Sequence, residues 1–120
     1  TGGENPYILV DVGMSDNPKP SLYGIEHKLF NISNNSEQKK IVAVSGRHCE
    51  SGDLLVENAE LPSETKKGDV LMSTATGAYT YSMASNYNRV PKSAVVAVKR
   101  NSSELVVNKQ SFEDVSLNDV

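Results

Sequence analysis

The chain has 120 residues, a formal net charge of -3 at pH 7 and 38% hydrophobic residues. This length fits one compact domain and is too short for an eight-stranded α/β barrel plus a second domain. Acidic and basic residues are interspersed, so there is no basic stripe to follow a phosphate backbone, and we expect no nucleic-acid partner. We also expect no signal peptide and no membrane partner, because no charged-then-apolar leader and no long apolar run occur.

Short runs rich in β-branched and aromatic residues alternate with turn-forming residues along the chain. This pattern predicts a mainly β domain over residues 1–120, an antiparallel β-barrel or sandwich. The predicted strands are residues 7–11, 27–32, 40–44, 54–57, 69–73, 77–83, 94–99 and 104–108. Loops rich in Asn, Ser, Pro or Gly are predicted at 31–37, 59–68 and 88–92. Short helical turns are predicted near 21–26, after 83, and near 111–115.

Cys49 is the single cysteine, and it lies in the polar segment 46–53 between two apolar runs, which places it on a loop at a strand end. Because it has no intramolecular disulfide partner, it favours a reducing, cytoplasmic location. A thiol on such a loop can donate a proton or act as a nucleophile, whereas single cysteines are most often small buried hydrophobic residues. Residue type alone leaves these roles open.

Tyr79 is the second candidate site residue. Gly77 and Ala78 before it leave little side-chain bulk, so a cofactor could approach the backbone while the phenol donates a hydrogen bond. The alternative is that Tyr79 and Tyr81 only share one face of a strand, where aromatic residues are favoured.

Lys19 and Tyr23 lie in a Pro-containing segment, 19–23, for which an exposed turn is the simplest interpretation. His27 and His48 lack the spacing of a metal site, and one thiol is too few for a typical zinc site, so no metal is predicted.

Four segments in fixed order resemble the C-terminal domain of the diaminopimelate decarboxylases. These are fold-type III pyridoxal-phosphate (PLP) enzymes, related to alanine racemase and the ornithine decarboxylases. The family pattern Gly-Pro-x-Cys-x-Ser-x-Asp is found in 46–53, with Arg47 at the proline position. Residues 19–23, Lys-Pro-Ser-Leu-Tyr, are similar to the family's Arg-Pro-Ala-Leu-Tyr, and residues 11–14 are similar to its Asp-Gly-Gly-Met. Residues 77–88 begin with the family's Gly-Ala-Tyr and end with its Ser-Asn-Tyr-Asn.

The resemblance, which covers residues 7–112, implies roles for five side chains. Cys49 is implied as the proton donor to the carbon that carbon dioxide has left. Lys19, Tyr23, Glu50 and Tyr79 are implied in substrate binding, with Tyr79 also contacting PLP. Glu50 favours diaminopimelate over ornithine as the substrate, because the ornithine enzymes usually have Asp there, and a carboxylate can accept hydrogen bonds from a distal ammonium. Segment 85–88 is implied to be mostly structural.

The resemblance also implies parts that lie outside this chain. PLP is expected to be bound covalently by a lysine of an N-terminal α/β barrel, and the active site to be shared between the subunits of a homodimer. The domain alone is then inactive, while the complete enzyme converts meso-2,6-diaminopimelate, a small amino-acid substrate, to L-lysine and carbon dioxide. Three alternatives stay open: a decarboxylase of ornithine, arginine or carboxynorspermidine, a non-catalytic regulatory homologue, and a generic β-barrel binding module.

Overall fold

The structure is a computed structural model that describes residues 6–120. In chain order its elements are β1 (Tyr7–Leu9), α1 (Lys19–Tyr23), β2 (Leu29–Asn31), β3 (Lys39–Ser45), β4 (Leu54–Pro62), β5 (Leu71–Ser73), α2 (Thr80–Met83), a 3₁₀ helix (Tyr87–Arg89), β6 (Val95–Lys99), β7 (Ser102–Val107) and α3 (Phe112–Ser116). No helix of this described part is long and apolar enough to cross a membrane.

The strands form three small sheets. The first has the order β1-β3-β4, and the other two are the pairs β2-β5 and β6-β7. The mainly β class is therefore confirmed, although within residues 6–120 the sheets stay separate and do not close into a barrel. The prediction of antiparallel pairing is wrong for β1, which runs parallel to β3. Parallel pairing is possible here because the long segment between the two strands provides a crossover connection.

The hydrophobic core lies against the first sheet. It consists of Val42, Val44, Val56, Ala59 and Leu61. On β3 the consecutive residues 42–44 are all buried, rather than every second one, because this central strand is flanked by β1 and β4 and is irregularly paired with β4. Each buried Val or Leu contributes about 1.5–3 kcal/mol, so the core fixes β3 and β4. Both strands end at the loop 46–53, which this core therefore positions.

Strand β4 extends to Pro62, so the prediction that residues 59–68 form a loop is wrong in its first part. Pro62 pairs with Lys39 at the very end of the ladder. Since β4 is an edge strand, the missing N–H of a proline is tolerated there.

The predicted strand at 77–83 is also wrong, because the chain forms a turn followed by α2. Tyr79 adopts φ 65°, which breaks the extended conformation, and the Met83 N–H donates to the Tyr79 carbonyl at 3.0 Å. Tyr79 and Tyr81 thus do not share a strand face. The predicted short helices are confirmed as α1, the 3₁₀ helix and α3, and α3 begins with a capping box formed by Ser111 and Asp114.

Candidate functional site

The loop 46–53 is organised around the side chain of Asp53, which is 0% exposed. Its two carboxylate oxygens accept the backbone N–H groups of Met14, at 2.6 Å, and of His48, at 2.7 Å. A Cβ at Gly46 would overlap this carboxylate, so the glycine is required by close approach rather than by its dihedral angles. The segment 11–14 is thereby tied to the loop that carries Cys49.

Cys49 and Glu50 lie at the exposed tip of this loop. The Gly52 N–H donates to Glu50 Oε1 at 3.1 Å, and the Tyr87 hydroxyl donates to Glu50 Oε2 at 3.3 Å. These bonds hold the pKa of the Glu50 carboxyl below its usual value, and the bond from the Gly52 N–H has the largest effect. Glu50 is therefore a charged acceptor at neutral pH.

Helix α1 connects this loop to the turn that holds Tyr79. Ser21 Oγ donates to the Gly52 carbonyl at 2.5 Å, and Lys19 Nζ donates to the Ala78 carbonyl at 3.1 Å. Tyr23, at the end of the helix, is 63% exposed. Lys19 is thus brought to the residue that precedes Tyr79, and within residues 6–120 its other two ammonium N–H groups have no hydrogen-bond partner.

Tyr79 projects from a strained turn with its side chain 78% exposed. A positive φ is unfavourable for a bulky residue and costs of order 1–3 kcal/mol, and such strain clusters at functional sites. A Cβ placed on Gly77 would meet nothing within 4 Å, so there is open space beside the turn. The exposed phenol and the open space beside Gly77 leave room for a ligand, and contact of Tyr79 with a cofactor stays a prediction.

Segment 85–88 packs behind Cys49 and Glu50, and it contains a site residue that sequence reasoning missed. Tyr87 bonds Glu50, and Asn88 Nδ2 donates to His48 Nδ1 at 3.3 Å. The Ser85 N–H donates to the Ser15 carbonyl at 2.9 Å, which ties the segment to the chain after β1. The sequence pattern placed the segment beside the site but gave no signal for a contact with Glu50.

The side chain of His48 is buried and anchors the loop 46–53. The Asn88 side-chain NH₂ donates to Nδ1, so Nδ1 is an acceptor and the ring hydrogen is on Nε2. This Nε2–H donates to Ser15 Oγ at 2.8 Å. Arg47, which stands at the family's proline position, forms a 2.9 Å ion pair with Asp16. Both side chains therefore tie the loop to residues 15 and 16. No group of three or more possible metal ligands occurs within residues 6–120.

Two cavities of about 710 and 1100 Å³ occur in the part of the chain that the structure describes, and both are lined in part by residues of β2 and β4. None of the five predicted site residues lines either of these two cavities. The thiol, the carboxylate and the phenol are instead presented on exposed loops that α1 links.

Comparison with known proteins identifies this class of domain. The family model described as "Pyridoxal-dependent decarboxylase, C-terminal sheet domain" matches residues 1–77. The chain belongs to this family, as the resemblance of its segments predicted.

Individual relatives and solved structures agree with this assignment. A diaminopimelate decarboxylase of Bacillus subtilis (strain 168) is 44% identical over 114 residues, which cover 94% of this chain and 26% of that protein. The crystal structure of diaminopimelate decarboxylase from M. jannaschii in complex with L-lysine has a TM-score of 0.88 and 30% identity, covering 95% of this chain and 26% of that one. The enzyme from Helicobacter pylori, also with L-lysine, has a TM-score of 0.84 and 35% identity, with coverages of 92% and 27%. The chain thus spans about a quarter of the length of these relatives.

Proposed function

We propose that the chain is the C-terminal domain, residues 1–120, of an enzyme that decarboxylates meso-2,6-diaminopimelate to L-lysine and carbon dioxide, in lysine biosynthesis. The observation that supports this most is the placement of Cys49 and Glu50 together at the exposed tip of one loop. The similar proteins named above are diaminopimelate decarboxylases, and Glu50 provides the carboxylate that a distal ammonium requires.

The proposed roles follow from what each side chain offers. Cys49 Sγ delivers a proton to the carbon from which carbon dioxide leaves. Glu50 accepts hydrogen bonds from the distal ammonium of the substrate, while Lys19 and Tyr23 bind its polar groups, Lys19 through a carboxylate. An ammonium binds a carboxylate with less directional preference than a guanidinium, because it lacks the planar fork.

PLP is the proposed cofactor, held mostly by residues outside this chain and bound covalently by a lysine of an N-terminal barrel. When bound, it supplies the electron sink for decarboxylation. From this chain, Tyr79 is the residue that contacts its phosphate and the substrate, since the exposed phenol borders open space at Gly77. The domain alone is then inactive.

We further propose that the partners are the N-terminal barrel of the same protein and a second subunit that shares the active site. The exposed, unenclosed arrangement of Cys49, Glu50 and Tyr79 supports a site completed by other surfaces. The three small sheets are proposed to form part of a barrel or sandwich in the complete protein, because Tyr7 and Leu9 of β1 lie exposed at a sheet edge. A reduced thiol that donates protons also suits the cytoplasm.

The test uses the complete protein that contains this chain. It is incubated with PLP, and carbon dioxide release is measured from meso-diaminopimelate, ornithine and arginine in parallel. We expect release from diaminopimelate that falls at least 100-fold in Cys49→Ala, the scale of a lost general acid. A preference for ornithine or arginine would contradict the substrate assignment, and the absence of PLP absorbance would contradict an enzymatic role.

A further inference from the structure

Tyr87 holds one oxygen of the Glu50 carboxylate, and residues of the same loop hold the other. The Tyr87 hydroxyl donates to Oε2 at 3.3 Å, whereas Oε1 accepts from the Gly52 N–H at 3.1 Å and from Ser51 Oγ at 3.4 Å. Glu50 is exposed, and an exposed glutamate has three rotatable side-chain bonds, so one donor on each oxygen is needed to restrict it to a single orientation.

Tyr87 is itself anchored by buried groups. Its ring packs at 60° against the ring of His48, with centroids 5.2 Å apart. His48 is buried and bonds Ser15 through one ring nitrogen and Asn88 through the other. The position of the hydroxyl is therefore set by residues beneath the loop rather than by solvent.

The charges of the pair are also consistent with a directed hydrogen bond. The Glu50 charge is the main cause that raises the pKa of the Tyr87 phenol, and the Tyr87 hydroxyl contributes to lowering the pKa of Glu50. At neutral pH Tyr87 stays a donor and Glu50 stays an anion. A carboxylate has about four acceptor sites, so Glu50 can still accept from an ammonium.

We propose that Tyr87 is a positioning residue that orients Glu50 to receive the distal ammonium of the substrate. This inference rests on the proposed function, because it assigns Glu50 to that ammonium. Tyr87 does not touch the reacting atoms, and it acts on substrate selection through Glu50.

The test compares Tyr87→Phe with Tyr81→Phe in the complete enzyme. Tyr81 is the matched control, because both tyrosines are 41% exposed and Tyr81 lies near Lys92 rather than near Glu50. We expect Tyr87→Phe to lower kcat/KM for meso-diaminopimelate about three- to tenfold, mainly through a higher KM, since a bond to an exposed charged group is lost. The acid limb of the pH profile of kcat/KM should move to higher pH, while Tyr81→Phe leaves both unchanged.

A double-mutant cycle separates positioning from a general structural effect. In a Glu50→Ala background, Tyr87→Phe should change KM by less than about twofold, because the residue through which it acts is gone. An effect of Tyr87→Phe that persists in this background, or that falls on kcat alone, would overturn the proposal.

A crystal structure of the complete Tyr87→Phe enzyme gives a readout that does not depend on the substrate. We expect the Glu50 carboxylate in more than one orientation, and a single unchanged orientation would overturn the proposal. If the unmodified enzyme releases no carbon dioxide from diaminopimelate, the proposed function is wrong. The orientation of Glu50 in the crystal structure still tests whether Tyr87 restrains the Glu50 side chain.

Discussion

Replacement of Asp53 by alanine should destabilise the domain more than any change at the loop tip. The substitution removes the acceptor of the His48 N–H, which is buried, and of the Met14 N–H, which is partly buried. An unsatisfied buried donor costs about 1–3 kcal/mol, and the two together give a loss of about 3 kcal/mol. Since a domain is stabilised by only about 5–15 kcal/mol in total, this is a large fraction.

Asp53→Asn tests whether hydrogen bonding, rather than volume, causes the loss. Asparagine keeps the shape but places an NH₂ group against one of the two N–H donors, so we expect a comparable loss of about 2–3 kcal/mol. The control is Asp11→Asn, because Asp11 is an exposed carboxylate at the end of β1 and should change stability by less than about 0.5 kcal/mol.

The assay is urea unfolding of the complete protein, combined with hydrogen exchange of the peptide that covers 46–53. Both Asp53 variants should unfold at lower urea and exchange faster in this peptide, while Asp11→Asn should match the unmodified protein. An Asp53→Asn protein as stable and as protected as the unmodified one would refute the assignment of Asp53 as the anchor of the loop.

Three further predictions concern the same surface. Gly46→Ala should destabilise the complete protein by at least about 2 kcal/mol in urea unfolding, because the new Cβ overlaps the Asp53 carboxylate, whereas Gly77→Ala, whose Cβ meets nothing, should change stability by less than about 1 kcal/mol. Lys19→Arg should lower KM for diaminopimelate about two- to tenfold, since a guanidinium binds a carboxylate at two points, and an unchanged or higher KM would argue against a carboxylate at Lys19. The lowered pKa of Glu50 stabilises the fold above the ordinary carboxyl pKa of about 4.3, and this stabilisation is lost as pH falls through the lower folded value. The melting-temperature difference between the unmodified protein and Glu50→Gln should therefore shrink below about pH 4, and a difference that grows with acidification would contradict this sign.

Local patterns predicted the strands that the structure has and the short helices other than α2, because alternating β-branched residues and capping residues act within a few positions of each other. The strand predicted at 77–83 was wrong because its local residue types were the only information used. Its Tyr and Thr residues favour strands, but Tyr79 adopts a positive φ, and the residues that follow form α2. The parallel pairing of β1 depends on a distant strand and could not be predicted from its own three residues.

Motif order singles out Cys49, Glu50 and Tyr79, and their roles stay predictions. The structure places Cys49 and Glu50 on a loop, as expected, and Tyr79 in a turn where a strand was expected. The bond from Met14 to Asp53 and the bond from Tyr87 to Glu50 join residues 39 and 37 positions apart, so no local pattern indicates them. Both contacts depend on how the loop 46–53 packs against 11–16 and 85–88.

The most direct test of the central claim, that Cys49 delivers the proton after decarboxylation, is to measure carbon dioxide and L-lysine separately from meso-diaminopimelate with the complete enzyme. The unmodified enzyme should form the two products in equal amounts. Cys49→Ala should form lysine at least 100-fold more slowly and less lysine than carbon dioxide, because the carbon that loses carbon dioxide lacks its proton donor. The difference should be recovered as a second product of the decarboxylated substrate, protonated at another atom. Lysine formation by Cys49→Ala at the unmodified rate, equal to carbon dioxide release, would contradict the claim.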